Sequence, residues 1–147
     1  MADPARATVT LFLVCGLLSS AAAVVYNVGG DGGWTFQTQT STVYDDQFKN
    51  ITLFTGDGLN FVFTVGSHNV YEILPEAVAS CDISNPVLMY SAPTTIYPST
   101  PGTKGFVCGF PDHCSQFGMH LTVTFVSSDG PAPAPAPSPE VQAERGD

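Results

Sequence analysis

From Cys108 to His120 the chain reads CGFPDHCSQFGMH, which places a thiol (Cys108), an imidazole (His113), a second thiol (Cys114) and a thioether (Met119) within twelve residues. Forty residues before Cys108, His68 ends the run FVFTVGSH and offers a second imidazole. Two nitrogens, one thiolate and a weak thioether form the ligand set of a mononuclear copper site with a long axial methionine. Soft sulfur holds Cu(I), imidazole suits both oxidation states, and a compromise geometry lets the metal cycle with little rearrangement. Taken singly, a cysteine or methionine in an apolar domain is more often core than ligand. The joint pattern, in a chain with only three histidines, points to a metal site.

Such a site needs rigid walls, and the sequence supplies strands. Residues 24–28 read as a first strand stopped by GGDGG, with Trp34, the only tryptophan, as a core or cap residue. Residues 50–54 (NITLF) and 59–65 (LNFVFTV) alternate well around Thr55-Gly56-Asp57-Gly58 and predict a hairpin. The segment HNVYEIL resumes a strand with His68 near its start, and PEAVASCDI can hold one helical turn before a long loop. Further strands are expected over residues 94–97, 105–108 and 121–126, the last two joined by the loop that carries Cys108, His113 and Met119. Short strands, frequent Gly/Pro breaks and no long amphipathic helix indicate an all-β Greek-key sandwich or barrel of about seven to eight strands. His120 follows Met119 and, by strand alternation, should face away from the site as a solvated surface histidine.

The two ends are different materials. Arg6 precedes the apolar run ATVTLFLVCGLL, and Ala21 and Ala23 stand in an A-x-A arrangement, so residues 1–23 read as a secretory signal peptide cleaved after Ala23. Cys15 would leave with it, and the remaining Cys81, Cys108 and Cys114 are an odd number for an oxidising compartment. If Cys108 binds a metal, Cys81 and Cys114 are left to pair. From residue 127 the alternating Ala-Pro sequence is expected to be an extended tail to residue 147, without a lipid-anchor signal. The net charge of −9 argues against nucleic acid or an anionic membrane surface as partner. Asn50-Ile51-Thr52 is an N-glycosylation sequon.

These residues together resemble the plant phytocyanins, the blue-copper cupredoxins of the cell exterior. The resemblance covers residues 24–126 and rests on YNVGGDGGW, on FTGDGLNFVF before His68, on Cys81 thirteen residues after His68, and on C-x4-HC with a following Gly-Met. It implies a cupredoxin-like sandwich, one type 1 copper, and His68, Cys108 and His113 as strong ligands. Met119 follows as the weak axial ligand and Cys81–Cys114 as the disulfide, a combination similar to uclacyanin- or plantacyanin-like members. The tail is similar to arabinogalactan-like tails, with Pro133, Pro135 and Pro137 as sites of O-glycosylation.

Three departures stand out. Four residues (Ser115, Gln116, Phe117, Gly118) separate Cys114 from Met119 where the family commonly has three, which leaves Gln116 as an alternative axial ligand. Asp112 occupies a usual glycine position before the histidine, and YDDQF replaces a Tyr/Trp-containing segment near residue 46. The function expected is one-electron transfer by a secreted, monomeric copper glycoprotein of the cell wall, with a small redox partner or a protein electron donor or acceptor. No catalytic turnover is expected, since nothing here reads as a nucleophile–base or carboxylate pair. Two other readings are an extracellular binding or wall-structural module with incidental copper, and copper buffering.

Overall fold

The computed structural model describes residues 22–36 and 43–128, so nearly all of the expected signal peptide and the Ala-Pro tail lie outside the described residues. Among the described residues eight strands form two sheets. One holds β1 (Val25–Asn27), β3 (Gly58–Phe61) and β6 (Thr94–Ile96) in the order β1-β3-β6. The other holds β2 (Leu53–Phe54), β4 (Val70–Ile73), β5 (Leu88–Tyr90), β7 (Gly102–Val107) and β8 (His120–Val126) in the order β2-β8-β7-β4-β5. The β1–β3 and β2–β8 pairs are parallel and the rest antiparallel. This is the expected cupredoxin-like Greek-key sandwich.

The core follows from alternation. Leu59 and Phe61 of β3 face Leu53, Val70, Phe106, Leu121, Val123 and Phe125 of the larger sheet, all buried in one cluster. Trp34 is wholly buried, with ring centroids 4.7 Å from Tyr44 and 5.2 Å from Phe61. A smaller cluster of Ile73, Val78, Val107 and Cys114 lies on the outer face of the larger sheet, under helix α2 (Pro75–Val78). The sheet is therefore covered on both faces where it carries the metal loop. Gly105 permits this, because a Cβ there would clash with the Val78 side chain.

Residues 55–58 do not join a hairpin. β2 pairs with β8 and β3 with β1 and β6, so the turn carries the chain from one sheet to the other. Its polar groups are engaged elsewhere: Thr55 N donates to Val126 O at 2.8 Å and Gly58 N to Val24 O at 2.8 Å. The buried Asp57 carboxylate accepts from Val24 N (2.9 Å) and Phe54 N (2.8 Å), and Gly56 takes φ 95. The strand expected over 59–65 accordingly ends at Phe61. The YDDQF segment forms most of helix α1 (Val43–Phe48), which buries Tyr44 and Phe48 and caps β8 through a bond from Thr122 N to Asp45 Oδ1 (2.7 Å). Strand β5 falls in a stretch expected to be loop.

Candidate metal centre

One end of the larger sheet builds the site. Cys108 follows the last residue of β7, and the pairing of Val107 with His120 sets Met119, just before β8, opposite it. Cys108 N donates to Met119 O (2.9 Å) and Met119 N donates to His113 O (2.9 Å), which closes the loop. β4 is the other neighbour of β7, and the pairing of Tyr71 with Val107 brings His68, two residues before β4, to the same end. The disulfide between Cys81 and Cys114, with Cα atoms 5.9 Å apart, fastens the residue beside His113 to the segment after α2.

His68 Nδ1 lies 3.2 Å from His113 Nδ1, and Cys108 Sγ lies 3.3 Å from the same nitrogen. One ligand atom from each of the three residues falls within 4.8 Å of the others. His68 and Cys108 are buried and His113 is half-buried. Burial lowers the pKa of both imidazoles, helped at His68 by His113 and opposed at His113 by Asp112. Burial raises the Cys108 thiol, while the backbone at Asn69 and Phe110 pulls it down. Neutral imidazoles are the form that a metal requires, and a raised thiol releases its proton when the metal binds.

The surroundings orient these donors. Thr35 Oγ1 is 3.5 Å from His68 Nε2, so the Nδ1 edge is the one turned toward Cys108 and His113. Asn69 Oδ1 accepts from Gly109 N at 2.7 Å and lies 3.5 Å from Cys108 Sγ, while the Asn69 carbonyl accepts from Trp34 Nε1 at 2.9 Å. Asn69 thus links the two ligand-bearing segments to the core. Phe110 stacks on His113 (centroids 5.3 Å, 24° between planes), and Phe36 meets His113 and His68 edge-on at 4.5 and 5.1 Å. Phe117 packs on Phe36 at 4.8 Å. Sequence reasoning misses Thr35, Phe36, Asn69 and Phe117, because they belong to no ligand pattern and only the fold brings them in.

Met119 is 0% exposed and sits in the main core cluster with Cys108, whereas Gln116 is exposed. The longer loop turns at Gly118, with φ 64. Asp112 takes φ 65, the left-handed region that favours glycine, and its carbonyl accepts from Gln116 N (2.8 Å) and Phe117 N (3.2 Å). His120 is half-buried rather than fully solvated, because it stands on β8 beside its partner Val107. Asn50 is exposed in the turn after α1.

A two-sheet sandwich with a His/Cys/His cluster at one end defines the cupredoxin class. The family model for the plastocyanin-like domain matches residues 34–119, and the chain belongs to that family. It is 34% identical over 132 residues to blue copper protein 1b of Medicago truncatula, covering 86% of this chain and 78% of that one. It is 33% identical to the basic blue protein of Cucumis sativus, covering 67% of this chain and 96% of that one. A blue copper protein of Petunia hybrida is 35% identical, but the match spans 39% of its length. Among solved structures, cucumber stellacyanin superposes with TM-score 0.63 at 25% identity, over 74% of this chain and all of that one. The cucumber basic protein, a blue copper protein, gives 0.59 at 31% identity, over 70% of this chain and all of that one. The donor set of this chain fits a single type 1 copper.

Proposed function

We propose that the protein is a secreted carrier of single electrons at the cell exterior, in which His68, Cys108 and His113 would hold a copper ion and Met119 would add a weaker fourth donor. The observation that carries this reading is the convergence of two imidazole nitrogens and one thiol within 4.8 Å at the end of a rigid sheet. Copper bound by these residues supplies a Cu(II)/Cu(I) couple. The chain's part is to hold the donors before the metal arrives. The disulfide fixes the His113 loop, Asn69 ties Gly109 to the His68 segment, and the buried Met119 excludes water from the core side.

The half-buried edge of His113, ringed by Phe36, Phe110 and Phe117, is where electrons enter and leave. An apolar rim of this kind favours brief contact with a redox partner over tight binding. No residue of the site is assigned a catalytic step. Residues 1–23 serve as the secretory leader, residues 24–126 as the copper domain and residues 127–147 as an O-glycosylated tail, with Asn50 carrying an N-glycan.

The test is the visible spectrum of the oxidised, copper-loaded protein. An intense thiolate-to-copper absorption toward the red, abolished by Cys108→Ser, is expected. A colourless copper-loaded wild type would overturn the reading. Mass spectrometry of protein from its native tissue should give Val24 as the first residue and a mass above that of the bare polypeptide.

A further inference from the structure

Three polar or charged residues are buried among the described residues: Asp57, His68 and Glu72. Asp57 holds the turn between the sheets and His68 faces the metal cluster, but Glu72 has no part in either. It is the third residue of β4 and shares the inward face with Val70, which belongs to the main core. Lys104 stands on the inward face of β7 with Phe106, and Tyr90 of β5 packs against the same core. Three functional side chains thus occupy positions that a sandwich normally fills with apolar residues.

They surround a cleft of about 400 Å³ that opens between β5 of one sheet and β6 of the other, at the end of the strands away from His68 and Cys108. That volume lies at the small end of the roughly 300–1,000 Å³ typical of ligand sites. Glu72 is 8% exposed, and its ion-pair partner Lys104 Nζ is 3.8 Å away, too far for a hydrogen bond. Lys104 Nζ also reaches Thr100 Oγ1 at 3.5 Å. Burial and the Glu72 carboxylate raise the Tyr90 phenol, so it stays protonated and available as a donor. Tyr97, 56% exposed, closes the cleft mouth, and its ring is seated on Gly58, where a Cβ would meet it at 2.7 Å. The seat holds the ring in place while more than half of the residue stays exposed.

We infer that this cleft between Tyr90, Tyr97, Glu72 and Lys104 binds a neutral saccharide unit. A carboxylate that accepts, an ammonium and a phenol that donate, and the Thr100 hydroxyl together match a ring bearing several hydroxyl groups. The Tyr97 face suits the apolar C–H side of such a ring. The pairing of Glu72 with Lys104 leaves the cleft without net charge, and the chain's −9 disfavours an anionic sugar. The inference does not depend on the copper reading, since the cleft uses none of the metal donors.

The test is NMR titration of the reduced, copper-loaded protein with cellobiose, xylobiose and galactobiose, and with galacturonic acid as an anionic control. At least one neutral disaccharide should shift the amide signals of Leu88, Thr95, Tyr97 and Thr100 in a saturable way and leave those of the Cys108–Met119 loop in place. Tyr97→Ala, at an exposed position, and Glu72→Gln, which keeps the shape, should each weaken binding at least tenfold without changing the visible spectrum of the oxidised protein. No saturable shift with any neutral sugar, equal binding by both variants, or a preference for galacturonic acid would overturn the inference.

Discussion

Met119 and Gln116 both carry atoms able to complete a copper site, and their surroundings separate them. Met119 is enclosed in the core beside Cys108, while Gln116 lies on the outer side of a loop whose extra residue is taken up by the turn at Gly118. Met119→Gln should place a harder oxygen over the metal, favour Cu(II) and lower the reduction potential, whereas Met119→Leu should raise it. Each shift should exceed about 59 mV, a tenfold change in the balance of the two states, and Gln116→Leu should stay well inside that. Voltammetry on the three variants checks the order; a large effect from Gln116 alone would move the axial role to it. Asp112 poses a different question at the same scale. Its left-handed backbone costs an L-residue more than glycine, so Asp112→Gly should stabilise the protein by about 0.5–1 kcal/mol despite the greater freedom of the unfolded chain. Urea midpoints of copper-free protein measure this.

At the scale of elements, the disulfide and helix α2 act as one brace behind the metal loop. Cys114 lies in the small cluster with Ile73, Val78 and Val107, so the covalent link continues an apolar contact. Replacing Cys81 and Cys114 together by alanine removes a cross-link between residues 33 apart and should cost about 3–4 kcal/mol of stability. Copper affinity should fall as well, because His113 loses its anchor. Equal urea midpoints for variant and wild type would show that the brace is unnecessary. Much of this arrangement was legible in the sequence. Ligand types and spacing picked out His68, Cys108, His113 and Met119, and short apolar runs between Gly/Pro breaks located β3, β4, β7 and β8. The turn at residues 55–58 misled because a hairpin and a sheet-crossing corner share the same Thr-Gly-Asp-Gly chemistry. What distinguishes them is the partnership of Thr55 with Val126 and of Gly58 with Val24, which local pattern does not encode. Asn69 was equally hidden, since its value lies in reaching Gly109, forty residues away.

Over the whole molecule, two linkages tie stability to solution state and to processing. His68 and His113 have pKa values lowered in the folded protein, so below the ordinary histidine pKa near 6.5 the unfolded chain binds more protons than the folded one. Their neutral forms contribute stability that is fully present above that pH and lost as pH falls through the folded values. Copper-free protein should therefore weaken from pH 7 to 5.5 more steeply than His68→Gln does, in urea titrations followed by tryptophan fluorescence. Matching slopes would show that His68 does not titrate as its burial implies.

The second linkage is at the N-terminus. Val24 N lies 2.9 Å from Asp57 Oδ1, inside the turn that joins the two sheets, and Val24 O accepts from Gly58 N. Cleavage after Ala23 would turn this backbone N–H into an α-ammonium group facing a carboxylate that is 5% exposed. The neutral N–H already donates to a carboxylate, and an α-ammonium adds the attraction of unlike charges to that bond. Protein beginning at Val24 should thus be more stable, by about 1 kcal/mol, than protein that retains two or three leader residues. Asp57→Asn should shrink the difference, because the amide keeps an acceptor oxygen but not the charge. Removal of the leader would then consolidate the corner where β1, β2 and β3 meet, so that processing completes the fold. Thermal midpoints of the two forms, in wild type and Asp57→Asn backgrounds, decide it: a gap of unchanged size after the substitution would place its origin outside the Val24–Asp57 pair.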